Sequence, residues 1–473
     1  MPAITEHLGL IWPWLAIVWS VHIVALAIWI VLQKREPVAT LSWVLSLALL
    51  PVLGFVIFHF LGPHSLRRQR LRRMRSRAAL ADTRKRIVVT PENIDRTQLG
   101  LLAGQSSGYE PSSCTEVKAL LGGAQAFEAL LEGVRAAKLH IHLEYYIFEP
   151  DQTGTHLRDA LIERARAGVR VRLLVDAVGS GRLGRRFLAP LLESGAEVAW
   201  FHPLRLSRLW RPRWNLRTHR KLVVIDGSLG YAGGMNITDQ QDARRSKTAY
   251  ADVHLRLRGE IVRWLQLAFL EDWHYATGVA LSDDTLWPEL PAGPIPAQVV
   301  PAGPDNRWEP IHRLQVEAIH RADRAVWMAT PYFVPGEAGL MALCSAAMRG
   351  LDVRLLVPRE PDSRLVGAAA RSYYDELLAA GVRIFEYQPR MMHAKALLVD
   401  SDLCVVGSAN FDHRSFRLNF ELSVMFHGKE VCGELERIFR DVLNDSRELH
   451  APRRISRSQA LAEAFARLAA PLL

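Results

Sequence analysis

Leu216-Arg-Thr-His219-Arg-Lys221-Leu-Val-Val-Ile-Asp226 and Met391-Met-His393-Ala-Lys395-Ala-Leu-Leu-Val-Asp400 carry the same pattern, His-x-Lys-x4-Asp. Each is followed by a small-residue pair and an asparagine, Gly233-Gly234-Met235-Asn236 and Gly407-Ser408-Ala409-Asn410, and from histidine to asparagine both copies span 17 positions. Side chains two apart on an extended chain share a face, so each histidine projects beside its lysine. The likeness continues outward. Arg170-Val-Arg-Leu-Leu-Val175 is matched by Asp352-Val-Arg-Leu-Leu-Val357, Gly195-Ala-Glu-Val by Gly381-Val-Arg-Ile, and Pro203 and Pro389 end both passages. Ala137–Phe148, Thr155–Ala167 and Val169–Val175 read as strand, helix and strand, and Ala325–Val334, Ala338–Met348 and Leu351–Val357 repeat that order. The chain is therefore an internal duplication of α/β units. The predicted halves run 114–285 and 286–448, joined in the Pro-, Ala- and Gly-rich stretch Leu286–Gly303, with a tail at 449–473 that is a candidate amphipathic helix.

The first sixty residues differ in kind. Leu8–Leu32 and Val38–Leu61 contain no Asp, Glu, Lys or Arg, and each is long enough to span about 30 Å of hydrocarbon. Trp12, Trp14, Trp29 and Trp43 lie near the ends, where indoles favour the water–lipid boundary. A secretory signal would open with Lys or Arg, but Met1–His7 has neither and carries Glu6. Residues 1–63 thus read as a transmembrane helical hairpin. Behind it, His64–Arg86 holds nine Arg, one Lys and one Asp, whereas the whole chain carries a net charge of only +10. Such a run, in the linker 64–113, keeps the downstream chain on the cytoplasmic side and attracts anionic headgroups. It lacks the interleaved aromatics of a nucleic-acid reader, so no nucleic-acid partner is expected.

Four scattered cysteines (Cys114, Cys344, Cys404, Cys432) form neither a zinc ribbon nor a disulfide framework. Gly179-Ser-Gly181-Arg-Leu-Gly184 spells a dinucleotide fingerprint, but no acidic residue closes a suitable second strand downstream. The first half also carries an insertion before its motif, with Arg205, Arg208, Trp210, Arg211, Arg213, Trp214 and Arg217, suited to phosphates at a lipid interface or to an ordinary solvated loop.

Only eight residues in the chain are Lys, against 51 Arg, yet each motif uses one. An ammonium beside an imidazole suits a non-bridging phosphate oxygen. The small residues Gly234 and Ser408 would let Asn236 and Asn410 approach the same oxygens. Two histidines can divide a phosphoester transfer into attack and protonation, which one alone cannot do.

On these two motifs the chain, from about Cys114 to Asn444, resembles the phospholipase D superfamily. The resemblance implies two α/β domains forming a pseudo-dimer around one central site. It also implies a covalent phosphohistidine on His219, acid–base duty for His393, and Lys221 and Lys395 beside them, with no metal or other cofactor. Asp226 and Asp400 complete the motifs and stand with this catalytic set, although at strand ends a structural role is the stronger reading. Family position suggests Asp252 as the acceptor orienting His219 and Glu421 as that orienting His393. The layout as a whole, including Val38-Ala-Thr-Leu-Ser-Trp43 and Leu216-Arg-Thr-His-Arg-Lys221, is similar to that of the bacterial cardiolipin synthases. That likeness implies phosphatidylglycerol and other membrane phospholipids as partners, and residence in a bacterial inner membrane. A hydrolase of the same superfamily would carry the same local motifs, and a scaffold with a dead site would not be expected to keep them all.

Overall fold

The computed structural model describes residues 2–32, 37–50, 53–54, 65–85, 87, 97–203 and 216–470. The inserted Arg/Trp loop, apart from Arg217, and the distal part of the second apolar stretch lie outside these residues. The chain divides into two compact units, one containing α1 (Pro2–Val31) and α2 (Pro37–Leu49), the other containing both repeated halves. At 13 residues α2 extends about 20 Å, short of a bilayer core. The first residues of α1 have no described side chains, and among the described residues no helix is long and apolar enough to cross a membrane.

In the first half the strands are β2 (Glu116–Leu121), β3 (His140–Tyr145), β4 (Arg170–Asp176), β5 (Glu197–Phe201), β6 (Leu222–Ile225), β7 (Leu229–Gly233) and β8 (Val253–Arg258), ordered β2-β8-β7-β6-β3-β4-β5. Between β3 and β4 lies the helix Gln152–Arg166, whose start is fixed by the Asp151 side chain accepting from the Gly154 amide at 3.0 Å. That crossover makes β3, β4 and β5 parallel, whereas β6, β7 and β8 follow as hairpins.

The second half repeats the plan with β10 (Ala325–Ala329), β12 (Asp352–Pro358) and β13 (Arg383–Tyr387) parallel, and β14 (Ala396–Val399), β15 (Leu403–Gly407) and β17 (Glu421–His427) antiparallel. Its nine-stranded sheet also takes β1 (Ser112–Cys114), β9 (Ile295–Ala302) and β18 (Ser446–Leu449). Two expectations change here. The latter part of the predicted join is strand β9, paired along β17. The predicted strand Ala325–Val334 breaks after Ala329, and β11 (Phe333–Val334) pairs instead with β16 (Phe411–Asp412).

Strand alternation explains how the two halves share an interior. Val223 and Ile225 of β6 face a cluster belonging to the first half, and Leu397 and Val399 of β14 face one belonging to the second. The alternate residues Leu222, Val224, Ala396 and Leu398 join one central cluster with α4 (Ile261–Thr277) and α5 (Lys429–Asn444). The motif strands therefore lie back to back across a common core. The tail forms α6 (Arg457–Leu468), held on the protein by Arg453, which pairs with Asp375 at 2.7 Å and Glu463 at 2.8 Å. Leu461, Phe465 and Leu468 are exposed on its outer face.

Candidate active site

The motif histidines and lysines sit just ahead of β6 and β14, where the chain is extended but paired across the halves. The His219 amide donates to the Phe420 carbonyl at 2.8 Å, and the Phe420 amide donates to Arg217 at the same distance. In the mirror arrangement His393 donates to Ala251 at 2.7 Å and Ala251 to Met391 at 2.9 Å. Each motif is thereby laid beside the segment that enters the carboxylate-bearing strand of the other half.

This crossing corrects the assignment of the orienting acceptors. Glu421, not Asp252, lies 3.0 Å from His219 Nδ1, and Asp252, not Glu421, lies 2.6 Å from His393 Nδ1. The position within each repeat is as expected, but the segments pair between repeats and not within them. Glu421 and the Ser408 carbonyl, 3.1 Å away, can only accept, so His219 Nδ1 carries the proton and its Nε2 presents a lone pair, whereas His393 Nδ1 sits between Asp252 and Lys395 Nζ, the latter at 2.9 Å. Burial works against charge on Glu421 and Asp252. For Glu421 the opposing pull comes chiefly from His219, and for Asp252 from Lys395 and His393, so both stay below the usual carboxyl range.

Burial also lowers the histidines. His219 falls to about 4 despite Glu421, and His393 is lowered by burial and by Lys395. The lysines follow: burial brings Lys221 to about 7 and Lys395 to about 8. His219 feels Lys395 as well as Lys221, and His393 feels Lys221 as well as Lys395, so the two motifs form one charge cluster. Each ammonium also donates to the backbone carbonyl of its own histidine, Lys221 at 2.7 Å and Lys395 closer still. Because the lysines lose charge between about 7 and 8, kcat/KM should fall as pH rises through that range. A wild-type profile level to about pH 9 would refute the assignment.

Gly234 and Ser408 serve the carboxylates, which differs from the predicted phosphate approach. A Cβ at Gly234 would lie 2.2 Å from Asp252 Oδ1, and Ser408 Oγ donates to Glu421 Oε2 at 2.5 Å. The asparagines end the same turns. The Asn236 side-chain oxygen accepts from the Ile147 amide at 3.2 Å, while the Asn410 oxygen is buried without a hydrogen-bond partner.

Asp226 and Asp400 are not at the reaction centre. They lie at the far ends of β6 and β14 with φ of 50° and 54°, each gathering three backbone amides. Asp226 accepts from Lys138, Leu139 and His140 at 2.7–2.9 Å, and Asp400 from Asp323, Arg324 and Ala325 at 2.8 Å. The short carboxylate tolerates the left-handed backbone and closes the turn before β3 or β10. Asp226→Ala should cost about 2–4 kcal/mol of stability through the orphaned amides, yet leave the folded fraction active. Denaturant melts with activity normalised to folded protein measure both, and a stable but inactive variant would restore Asp226 to the chemistry.

Sequence reasoning missed Gln241, whose side-chain nitrogen lies 3.4 Å from His393 Nδ1 and 3.5 Å from Asp252, and Arg220, buried between the motif residues. Arg220 had a signal: an arginine between two residues facing the site must point the other way. Among the described residues, no group of three or more His, Cys, Asp or Glu is placed to hold a metal ion.

Two duplicated α/β halves, each delivering a His-Lys pair to a shared charge cluster, define a phospholipase D-type protein. Comparison with known proteins narrows the class. The family described as "Cardiolipin synthase, PLD-like domain" matches residues 130–273 and 316–443, and the "Phospholipase_D-nuclease N-terminal" family matches residues 21–63. Cardiolipin synthase 2 of Bacillus anthracis is 40% identical over 460 residues, covering 94% of this chain and 88% of the relative. The cardiolipin synthase of Geobacillus sp. (strain WCH70) is 38% identical, covering 97% and 94%. The chain belongs to this phospholipase D-like cardiolipin synthase family. Its fold is shared with the crystal structure of phosphatidylserine synthase from Haemophilus influenzae (TM-score 0.61, 14% identity, 80% of this chain and 100% of that one).

Proposed function

We propose that this protein joins two phosphatidylglycerol molecules into cardiolipin and releases glycerol. The observation carrying the mechanism is the crossed pair of buried imidazoles, each with Nδ1 against a carboxylate of the other half. His219 Nε2 attacks the donor's phosphorus, and the bond from phosphorus to the glycerol oxygen breaks. His393, protonated at Nε2, gives that oxygen its proton. Neutral His393 then takes the proton of a terminal glycerol hydroxyl on the second lipid, whose oxygen attacks phosphorus and breaks the P–N bond. Lys221 and Lys395 neutralise the non-bridging oxygens in both steps. One phosphodiester is lost and one gained, so no nucleotide is consumed.

Residues 1–63 anchor the enzyme in this reading. Support comes from the two uncharged apolar stretches and from outward apolar side chains on α1, including Trp14, Val18, Val21 and Val24. The basic run behind them favours catalytic halves on the cytoplasmic face of a bacterial membrane. Detergent-solubilised enzyme given phosphatidylglycerol alone should yield cardiolipin and glycerol by lipid mass spectrometry. Phosphatidic acid as the dominant product would replace the transferase with a hydrolase.

A further inference from the structure

Behind the first motif lies a buried ionic network that reaches α3 (Ser65–Ala79), the helix formed by the basic run. Arg73 of α3 is 1% exposed; its Nη1 donates to Asp272 at 2.5 Å and its Nη2 to Glu271 at 3.0 Å, both on α4. Asp272 turns its other oxygen to Arg220 Nη1. Arg220 in turn donates from Nε to the backbone carbonyl of Glu421 at 3.0 Å and from Nη2 to Ala302 at 3.2 Å. Both guanidiniums also lie against the ring of Phe420, at 5.8 Å for Arg73 and 5.9 Å for Arg220. Phe420 and Glu421 are the segment that meets His219.

The repeated fold does not itself require this network, because among the described residues the second half has no counterpart of it. Ala394 follows His393 where Arg220 follows His219, and Ala329 occupies the β10 position that Glu144, buried and accepting from Thr218 Oγ1, holds in β3. Asp441, twenty residues after Glu421 as Asp272 is after Asp252, is exposed to solvent, whereas Asp272 is fully buried. Among the described residues, the ionic filling lies in the half into which Arg73 inserts.

We propose that Arg73 is a positioning residue for the reaction: by neutralising Glu271 and Asp272 it keeps Arg220 on the Glu421 backbone, and so fixes the carboxylate that orients His219. Without Arg73, buried Asp272 keeps only Arg220 as its ion-pair partner and Glu271 only the partly exposed Arg77, and Arg220 is drawn toward the acids and off the Glu421 carbonyl. This rests on His219 being the attacking group.

The test uses the full-length protein in phosphatidylglycerol mixed micelles, comparing wild type with Arg73→Ala, Arg73→Lys and Arg77→Ala. Arg77 is the control: it shares α3 and approaches Glu271 at 3.5 Å, but it is a third exposed and has no ion pair with Asp272. Arg73→Ala should lower kcat about 10- to 100-fold, as for other groups that orient a functional residue, with KM little changed. Methylguanidinium should restore part of that loss. Arg73→Lys should fall between, and Arg77→Ala should stay close to wild type. Undiminished kcat in Arg73→Ala, an equal loss in Arg77→Ala, or a loss that follows only the folded fraction and resists methylguanidinium would overturn the proposal. Should Arg73→Ala not fold, Arg73→Lys decides, and wild-type kcat there overturns it as well. Adduct mass spectrometry on wild type separates the two layers: no phosphatidyl group at His219 faults the nucleophile, whereas a normal adduct with full-rate Arg73 variants faults only the role given to Arg73.

Discussion

His219→Ala and His393→Ala should each lower cardiolipin formation by about three orders of magnitude or more, and they should fail differently. Without His219 there is no nucleophile, so no phosphatidyl adduct forms with any donor. Without His393 the attack remains possible, but a glycerol alkoxide leaves poorly without a proton. A phosphatidyl ester of p-nitrophenol, whose leaving group needs no acid, should therefore load His219 in His393→Ala at close to the wild-type rate. The adduct should then persist, because no base activates the second lipid's hydroxyl. Intact-protein and peptide mass spectrometry read this directly. An adduct on residue 393 in His219→Ala, with none on residue 219 in His393→Ala, would exchange the two roles.

The crossed carboxylates give the second large effect. Glu421→Gln and Asp252→Asn should each reduce turnover by about 10²- to 10⁴-fold, since an amide no longer fixes the tautomer or stabilises the imidazolium. Their leaving-group dependence distinguishes them. Glu421 touches His219, so Glu421→Gln should slow adduct formation with glycerol and p-nitrophenol donors alike. Asp252 touches His393, so Asp252→Asn should slow the glycerol donor far more than the activated one. Assignment within each repeat, the arrangement that chain order suggests, predicts the opposite pairing, and that result would refute the geometry.

Much of this was legible in the sequence, for reasons that particular residues make plain. The duplication could be read because strand cores tolerate little variety: Val-Arg-Leu-Leu-Val lies in β4 and again in β12, buried on both faces at its apolar positions. The motif residues could be read because their spacing recurs. What could not be read was which half supplies each acceptor. That depends on single parallel bridges, Thr218 with Phe420 and Ala251 with Met392, between segments with no pairing signal in their composition. The roles of Asp226 and Asp400 were half legible. Their place at strand ends hinted at turns, but the triple amide capture needs the loop from the neighbouring strand. Arg73 was hidden by its company: among nine arginines in one run, nothing local marks the one that enters the core.

The reciprocal bridging also has a consequence for the broken or half-made molecule. A first half released alone would hold His219 with nothing to steer its ring, and a second half alone would leave His393 equally adrift. Neither fragment carries a competent nucleophile–carboxylate couple. A nascent or proteolysed chain should thus be inactive, and phosphatidyl transfer should arise only when both halves have closed on one another.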